Sequence, residues 1–107
     1  MNMGDMMSQA ICQKFESAFK LLGKRWNGLI IHQLMEGPKR FNELESEIKL
    51  SGKILSERLK ELEMHDIVKR NVYPETPVRI EYVLTPKGYA MKPFMEQVTK
   101  WSNDWIK

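Results

Sequence analysis

The sequence predicts a mainly α-helical fold carrying one small β-hairpin, and three observations predict it. Apolar residues recur at helical spacing through 11–22, 25–36 and 52–65. Residues 67–84 contain two strand-like runs separated by Pro74-Glu75-Thr76-Pro77. Beyond them Met91, Phe94, Val98, Trp101 and Trp105 form a heptad seam within a final helical segment over 86–106. No repeat or low-complexity linker divides the 107 residues. They read as one folded domain over 11–107, preceded by a short, Met-rich, polar segment over 1–10 that is expected to be disordered.

Each element has its own justification. In the first helix Cys12, Phe15, Phe19 and Leu22 lie on one stripe, and Gly23 is a natural stop. In the second, Trp26, Leu29, Ile30 and Leu34 are expected to face inward, and Gly37-Pro38 ends it. Phe41 opens a short third helix, with Asn42 and Glu45 at capping-box spacing and Leu44 and Ile48 on its core side. Leu50-Ser51-Gly52 is a turn, with Ser51 an N-cap for a fourth helix reaching about His65. At 100° per residue that helix divides sharply. Leu55, Leu59 and Leu62 share one face, Lys53, Ser56, Glu57 and Lys60 the opposite one, and Ile54 and Arg58 a flank. In the second strand Val78, Ile80, Tyr82 and Leu84 alternate with Arg79, Glu81 and Val83. Thr85-Pro86 is an N-cap followed by proline at the first helical position, and Pro93 should interrupt the last helix near its start.

A short helix, a tight turn, an amphipathic helix and then a hairpin make the winged helix-turn-helix plan. In that plan the second helix of the pair enters the DNA major groove. Here it would offer Lys53, Ser56 and Glu57, with Lys60 a turn further on. Lysine donates to guanine, serine pairs with either kind of edge, and glutamate accepts from cytosine. Ser51 and Arg58 border this face. Lys39 and Arg40 before the motif, and Arg70 and Arg79 on the wing, are placed for phosphate contact.

Charge supports this only weakly. The net charge is +3 and the isoelectric point about 9.0. Between Lys39 and Arg79, however, nine basic residues face eight acidic ones, so a basic surface requires the fold to segregate them. An amphipathic helix with charges outside is commonly just a solvated face, and a winged helix can serve as a protein-interaction module without DNA.

Other classes find less support. No apolar run is long enough for a membrane helix, and residues 1–8 have no basic region leading into an apolar stretch. A cytoplasmic location is expected. No Gly-rich phosphate loop, Ser/His/Asp set or paired carboxylates suggest an enzyme, and no cofactor is expected. His32 and His65 have no ligand spacing with each other or with Cys12, so no metal site is expected either. A thiol enzyme such as a peroxidase would need a polar pocket around Cys12.

Five blocks in order resemble the HxlR-type regulators, a MarR-like winged helix-turn-helix family. They are Leu22-Gly23-Lys24-Arg25-Trp26-Asn27-Gly28-Leu29-Ile30-Ile31, Gly37-Pro38-Lys39-Arg40-Phe41-Asn42-Glu43-Leu44, Leu55-Ser56-Glu57-Arg58-Leu59-Lys60-Glu61-Leu62-Glu63, Tyr73-Pro74-Glu75-Thr76-Pro77-Val78-Arg79-Ile80-Glu81-Tyr82 and Leu84-Thr85-Pro86-Lys87-Gly88. The resemblance spans roughly 12–105. It implies a bacterial transcriptional regulator, expected to be a repressor. It also implies a homodimer built from the first and last helices, which binds double-stranded DNA at a pseudo-palindromic operator. The seam agrees, because a chain this short would struggle to bury Phe94, Trp101 and Trp105 alone. Phe15, Phe19, Phe94, Val98, Trp101 and Trp105 are the expected interface, against the alternative that they pack on the first helix of the same chain.

The Gly-Lys-Arg-Trp-Asn-Gly run resembles a subgroup that includes thiol-based sensors of quinones, other electrophiles and oxidants. The family commonly has proline after its cysteine, where this chain has Gln13. Cys12 is the expected sensing residue. A thiol in the first turn of a helix lies at the positive end of the helix dipole, which favours the reactive thiolate. A small cysteine on an apolar stripe can equally be inert packing, which would leave a regulator of the same type sensing a reversibly bound small molecule.

Overall fold

The computed structural model describes residues 3–107, with side chains from Cys12 onward. The chain runs α1 (Met3–Leu22), α2 (Asn27–Leu34), α3 (Phe41–Ile48), α4 (Gly52–Met64), β1 (Val68–Tyr73), β2 (Arg79–Leu84), α5 (Pro86–Tyr89) and α6 (Lys92–Trp105). The mainly helical fold with a two-stranded wing is as the sequence predicts.

The core lies where α2, α3, α4 and the base of the wing meet. Ile30, Ile31, Leu34, Leu44, Leu55 and Leu62 are fully buried there, and Ile67, Val68, Leu84 and Met95 close its edges. Strands β1 and β2 pair antiparallel, with Val68 opposite Leu84 and Tyr73 opposite Arg79. An isolated bridge joins Lys39 to Tyr82 and adds a third, single-residue rung to the wing's base. Its two backbone bonds, Lys39 N–H to Tyr82 O and Tyr82 N–H to Lys39 O, measure 3.0 and 2.7 Å. The Gly37-Pro38 signal marks the end of α2 correctly but does not reveal this rung.

The joints are built locally. Ser51 Oγ accepts from the Ile54 N–H at the start of α4. Lys49 closes α3 in the left-handed region, which turns the chain toward α4. Thr85 Oγ1 accepts from the Gly88 N–H and donates to the Asp66 carbonyl, so one side chain both caps α5 and fastens it to the turn between α4 and β1. Gly88 is sterically required, since a Cβ there would lie 2.5 Å from the Ile67 carbonyl oxygen. The last helical segment breaks between α5 and α6, and Pro93 falls in the first turn of α6, where its missing N–H costs nothing.

Three expectations need correction. α1 begins at Met3, so from that residue on the expected disordered segment is helical; Met1 and Asn2 lie outside the described residues. Gln13 retains the backbone N–H that a continuous helix needs and that proline would remove. The cap of α3 is two residues earlier than the Asn42/Glu45 pairing: Arg40 is the N-cap residue, and Glu43 Oε1 accepts its N–H at 2.9 Å. Leu29 is half exposed, whereas Ile31 is fully buried, because α2 is apolar on two sides and its spacing does not say which side meets the core. The α6 seam needs no such correction: Met95 is the buried residue there, and Phe94, Val98, Trp101 and Trp105 point away from the chain's own core.

Candidate nucleic-acid interface and thiol face

α4 separates its two faces cleanly. Leu55, Leu59 and Leu62 are at most 1% exposed. On the other side Lys53, Glu57 and Lys60 are exposed and Ser56 is half-buried. The reason is the helical period, since the three leucines fall at i, i+4 and i+7. Lys53, Ser56, Glu57 and Lys60 are therefore brought together on one open surface, as predicted. Arg40 and Arg70 are also exposed. Lys69 lies exposed beside Arg70 on β1; its position on an alternating strand could have singled it out.

Three predicted cations are engaged elsewhere. The Lys39 side chain is 9% exposed, with Nζ 2.8 Å from Glu47 and 2.9 Å from Glu36. These partners, Glu47 first and then Glu36, raise its pKa above the ordinary lysine value. It braces the wing's base against α2 and α3, and is not a free phosphate contact. Arg79 pairs with Glu75 at 3.1 Å and Glu81 at 2.6 Å, and its guanidinium lies 4.1 Å from the Tyr73 ring centroid. Its hydrogen bonds and attraction to Glu75 are the main influence holding its pKa above the usual arginine value. Arg58 is turned toward Glu61, with Nη1 3.7 Å from that carboxylate. Ser51 is occupied as the α4 cap.

Cys12 is exposed on α1. It lies nine residues beyond Met3, well past the first turn, so the helix-dipole argument does not apply to it. Phe15 and Phe19 follow it at i+3 and i+7. They are 64% and 48% exposed and stack with ring centroids 4.7 Å apart. The predicted alternative, that α1 covers the late aromatics of its own chain, is not observed, for Phe94, Val98, Trp101 and Trp105 remain 41–72% exposed. Between them and α1 runs an apolar groove of about 620 Å³, lined by Phe19, Leu22, Leu29, Phe94 and Val98 among others. Leu29 is the interface candidate that sequence reasoning missed. Among the described residues no group of three or more His, Cys, Asp or Glu side chains could hold a metal ion, and no helix is long and apolar enough to cross a membrane. His65 caps the end of α4, and His32 is exposed on α2.

This winged helix-turn-helix, with its open second helix, defines a helix-turn-helix transcriptional regulator. The chain belongs to the HxlR-like helix-turn-helix family, whose model matches residues 21–107. Two similar proteins of Bacillus subtilis (strain 168) are the HTH-type transcriptional regulators YodB and YvaP. YodB is 54% identical over 102 residues, covering 94% of this chain and 91% of YodB. YvaP is 52% identical over the same length, covering 94% of both. The reduced form of B. subtilis YodB matches this fold with a TM-score of 0.79 at 55% identity, over 88% of this chain and 93% of that one. The quinone-bound form of YodB matches at 0.75 and 50% identity, over 86% and 97%. The oxidised form of the redox regulator HypR matches at 0.83 and 30% identity, over 88% and 98%.

Proposed function

We propose that this regulator is a homodimeric repressor that binds a pseudo-palindromic operator through α4 and releases it when Cys12 is modified by a quinone, another electrophile or an oxidant. The observation that carries the reading is the position of Cys12. It is exposed, and it stands on the face of α1 that carries Phe15 and Phe19 toward the exposed seam of α6. In the dimer this face meets the same face of a second copy, so a change at Cys12 is a change at the contact that spaces the two α4 helices. Lys53, Ser56, Glu57 and Lys60 read base edges, while Arg40 and Arg70 hold phosphates. The solved reduced and quinone-bound forms of YodB make a quinone the natural first probe.

The chemistry at Cys12 is an addition. Its sulfur bonds to a ring carbon of the quinone, the thiol proton passes to one quinone oxygen, the hydrogen on the attacked carbon leaves as a proton for the other oxygen, and the product is a hydroquinone thioether. The added ring lies among Phe15, Phe19 and their counterparts. It alters their packing, changes the separation of the two α4 helices, and lowers operator affinity.

A second reading has a specific observation behind it. The apolar groove beside Leu29 and Phe94 is large enough for a small apolar ligand, which would regulate reversibly with Cys12 a bystander. One experiment separates the two. Reduced protein is bound to the DNA upstream of its own gene, before and after a quinone, and the Cys12→Ser variant is treated alike. Tight binding lost on treatment and retained in Cys12→Ser is expected. Loss in both proteins favours the groove, and indifference in both removes the thiol switch. Absence of duplex binding at low salt leaves the protein-interaction module as the better reading.

A further inference from the structure

The joint between α1 and α4 is polar, buried and selective. Asn27, the first residue of α2, is 0% exposed. Its Nδ2 donates to the Leu21 carbonyl at the end of α1 and to Glu61 Oε1 on α4, both at 2.8 Å. The orientation of the amide is forced, since both partners are acceptors and only the NH2 side can satisfy them. Glu61 is fixed from its other side by Lys24 at 2.5 Å and by Arg58 at 3.7 Å. Lys24, followed by Asn27, holds its carboxylate below the ordinary value.

The chain leading into Asn27 is equally constrained. A Cβ at Gly23 would lie 2.6 Å from the Phe19 carbonyl oxygen, which keeps the exit of α1 tight. Trp26 adopts a positive φ of 81°, rare for a bulky residue, and the Arg25 guanidinium lies 4.4 Å from its ring centroid. A buried side chain thus fastens the last turn of α1 to the helix proposed to read DNA. Oδ1 of Asn27 is buried with no partner, a cost that an apolar residue would avoid. A leucine could fill the space, but it could not set an angle between two helices by directed bonds.

We infer that Asn27 is a positioning residue: its amide, bridging Leu21 O and Glu61 Oε1, sets the orientation of α4 relative to α1 and so the specificity of operator recognition. The inference rests on the proposed DNA-binding role of α4 but not on the thiol switch. Loss of the bridge leaves α4 on its leucine face, free to take several angles about it. Phosphate contacts tolerate such variation and base contacts do not, so specific binding falls more than non-specific binding.

The test uses the full chain in two measurements. In the first, labels at Lys14→Cys on α1 and Met64→Cys on α4, in a Cys12→Ser background and diluted with unlabelled protein, report the α1–α4 distance distribution. A narrow distribution is expected with Asn27 present and a broadened one with Asn27→Ala. Glu61→Gln can turn its remaining carbonyl oxygen to Asn27 while its NH2 replaces the oxygen that meets Lys24, so it gives up the ion pair but keeps the bridge and should stay narrow. If Asn27→Ala does not fold, Glu61→Ala removes the same bridge from the exposed side. In the second, the ratio of operator affinity to random-duplex affinity should fall about tenfold in Asn27→Ala and remain near the parent value in Glu61→Gln. An unchanged distribution in the variant lacking the bridge overturns the inference whatever the DNA result. A broadened distribution with an unchanged ratio overturns the specificity role. A parent protein that binds no operator while the distribution still broadens refutes the DNA-binding reading and leaves the positioning of α4 by Asn27 standing.

Discussion

Lys39 joins three parts of the fold. Its backbone pairs with Tyr82 of the wing, and its ammonium group sits between Glu36 after α2 and Glu47 of α3. Lys39→Met keeps most of the aliphatic packing and removes the charge, leaving two carboxylates without their shared cation. We expect a loss of about 1–2 kcal/mol, measurable by urea titration. Because the folded-state pKa is raised, this contribution is fully present below the ordinary lysine value of 10.5 and disappears only as pH rises through the higher folded value. The deficit of Lys39→Met should therefore be constant across neutral pH, and the salt slope of DNA binding should not change. Glu61 behaves oppositely. Its lowered pKa gives stability that is present above the ordinary value of 4.5 and lost as pH falls below it. Glu61→Gln should be less stable than the parent at neutral pH and approach it in acid. Equal deficits at both pH values would show that the Lys24 ion pair contributes nothing. Neither cluster was legible in the sequence. Lys39 and Glu47 are eight positions apart, Lys24 and Glu61 thirty-seven, and a charge count cannot tell a free cation from one already paired by the fold.

At the scale of elements, legibility follows how one-sided each helix is. α4 was read correctly in both faces because one side is buried leucine and the other open charge, so the helical period alone sorts it. α2 was not, because Leu29 serves the exposed apolar face while Ile30 and Ile31 serve the core. The start of α1 carries no apolar stripe or cap that would mark Met3, and its helical extent was missed for that reason. The hairpin and the break before Pro93 were legible because proline acts through its own covalent geometry, whatever surrounds it. For α4 the prediction is specific. Lys53→Ala should weaken operator binding by about 1–3 kcal/mol and relax preference at one base position, as measured by competition with single-base variants of the operator. An equal loss on operator and random duplex would assign Lys53 to a phosphate instead.

As a whole molecule the chain is extended. Its radius of gyration is 16.5 Å, against about 13 Å for a compact domain of this length, and its longest dimension is 62 Å. The excess lies in helices that project their apolar sides outward: Phe15 and Phe19 on α1, and Phe94, Val98, Trp101 and Trp105 on α6. A solitary chain would hold this aromatic surface in water, at a cost of roughly 25 cal/mol for each Å² left uncovered. A second copy offers the same surface in return, which is the condition for a two-fold contact. Sedimentation equilibrium at micromolar concentration should give twice the chain mass of 12.6 kDa. Trp101→Glu places a charge in the middle of the seam, and it should yield monomers whose helical circular dichroism is largely retained, since Trp101 contributes little to the chain's own core. Operator affinity should then fall much further than the affinity of α4 for a single half-site, because each half-site gains its effective concentration from the other. If the parent protein sediments as a monomer, the seam has another occupant, and the transmission from Cys12 to the spacing of two α4 helices loses its physical basis.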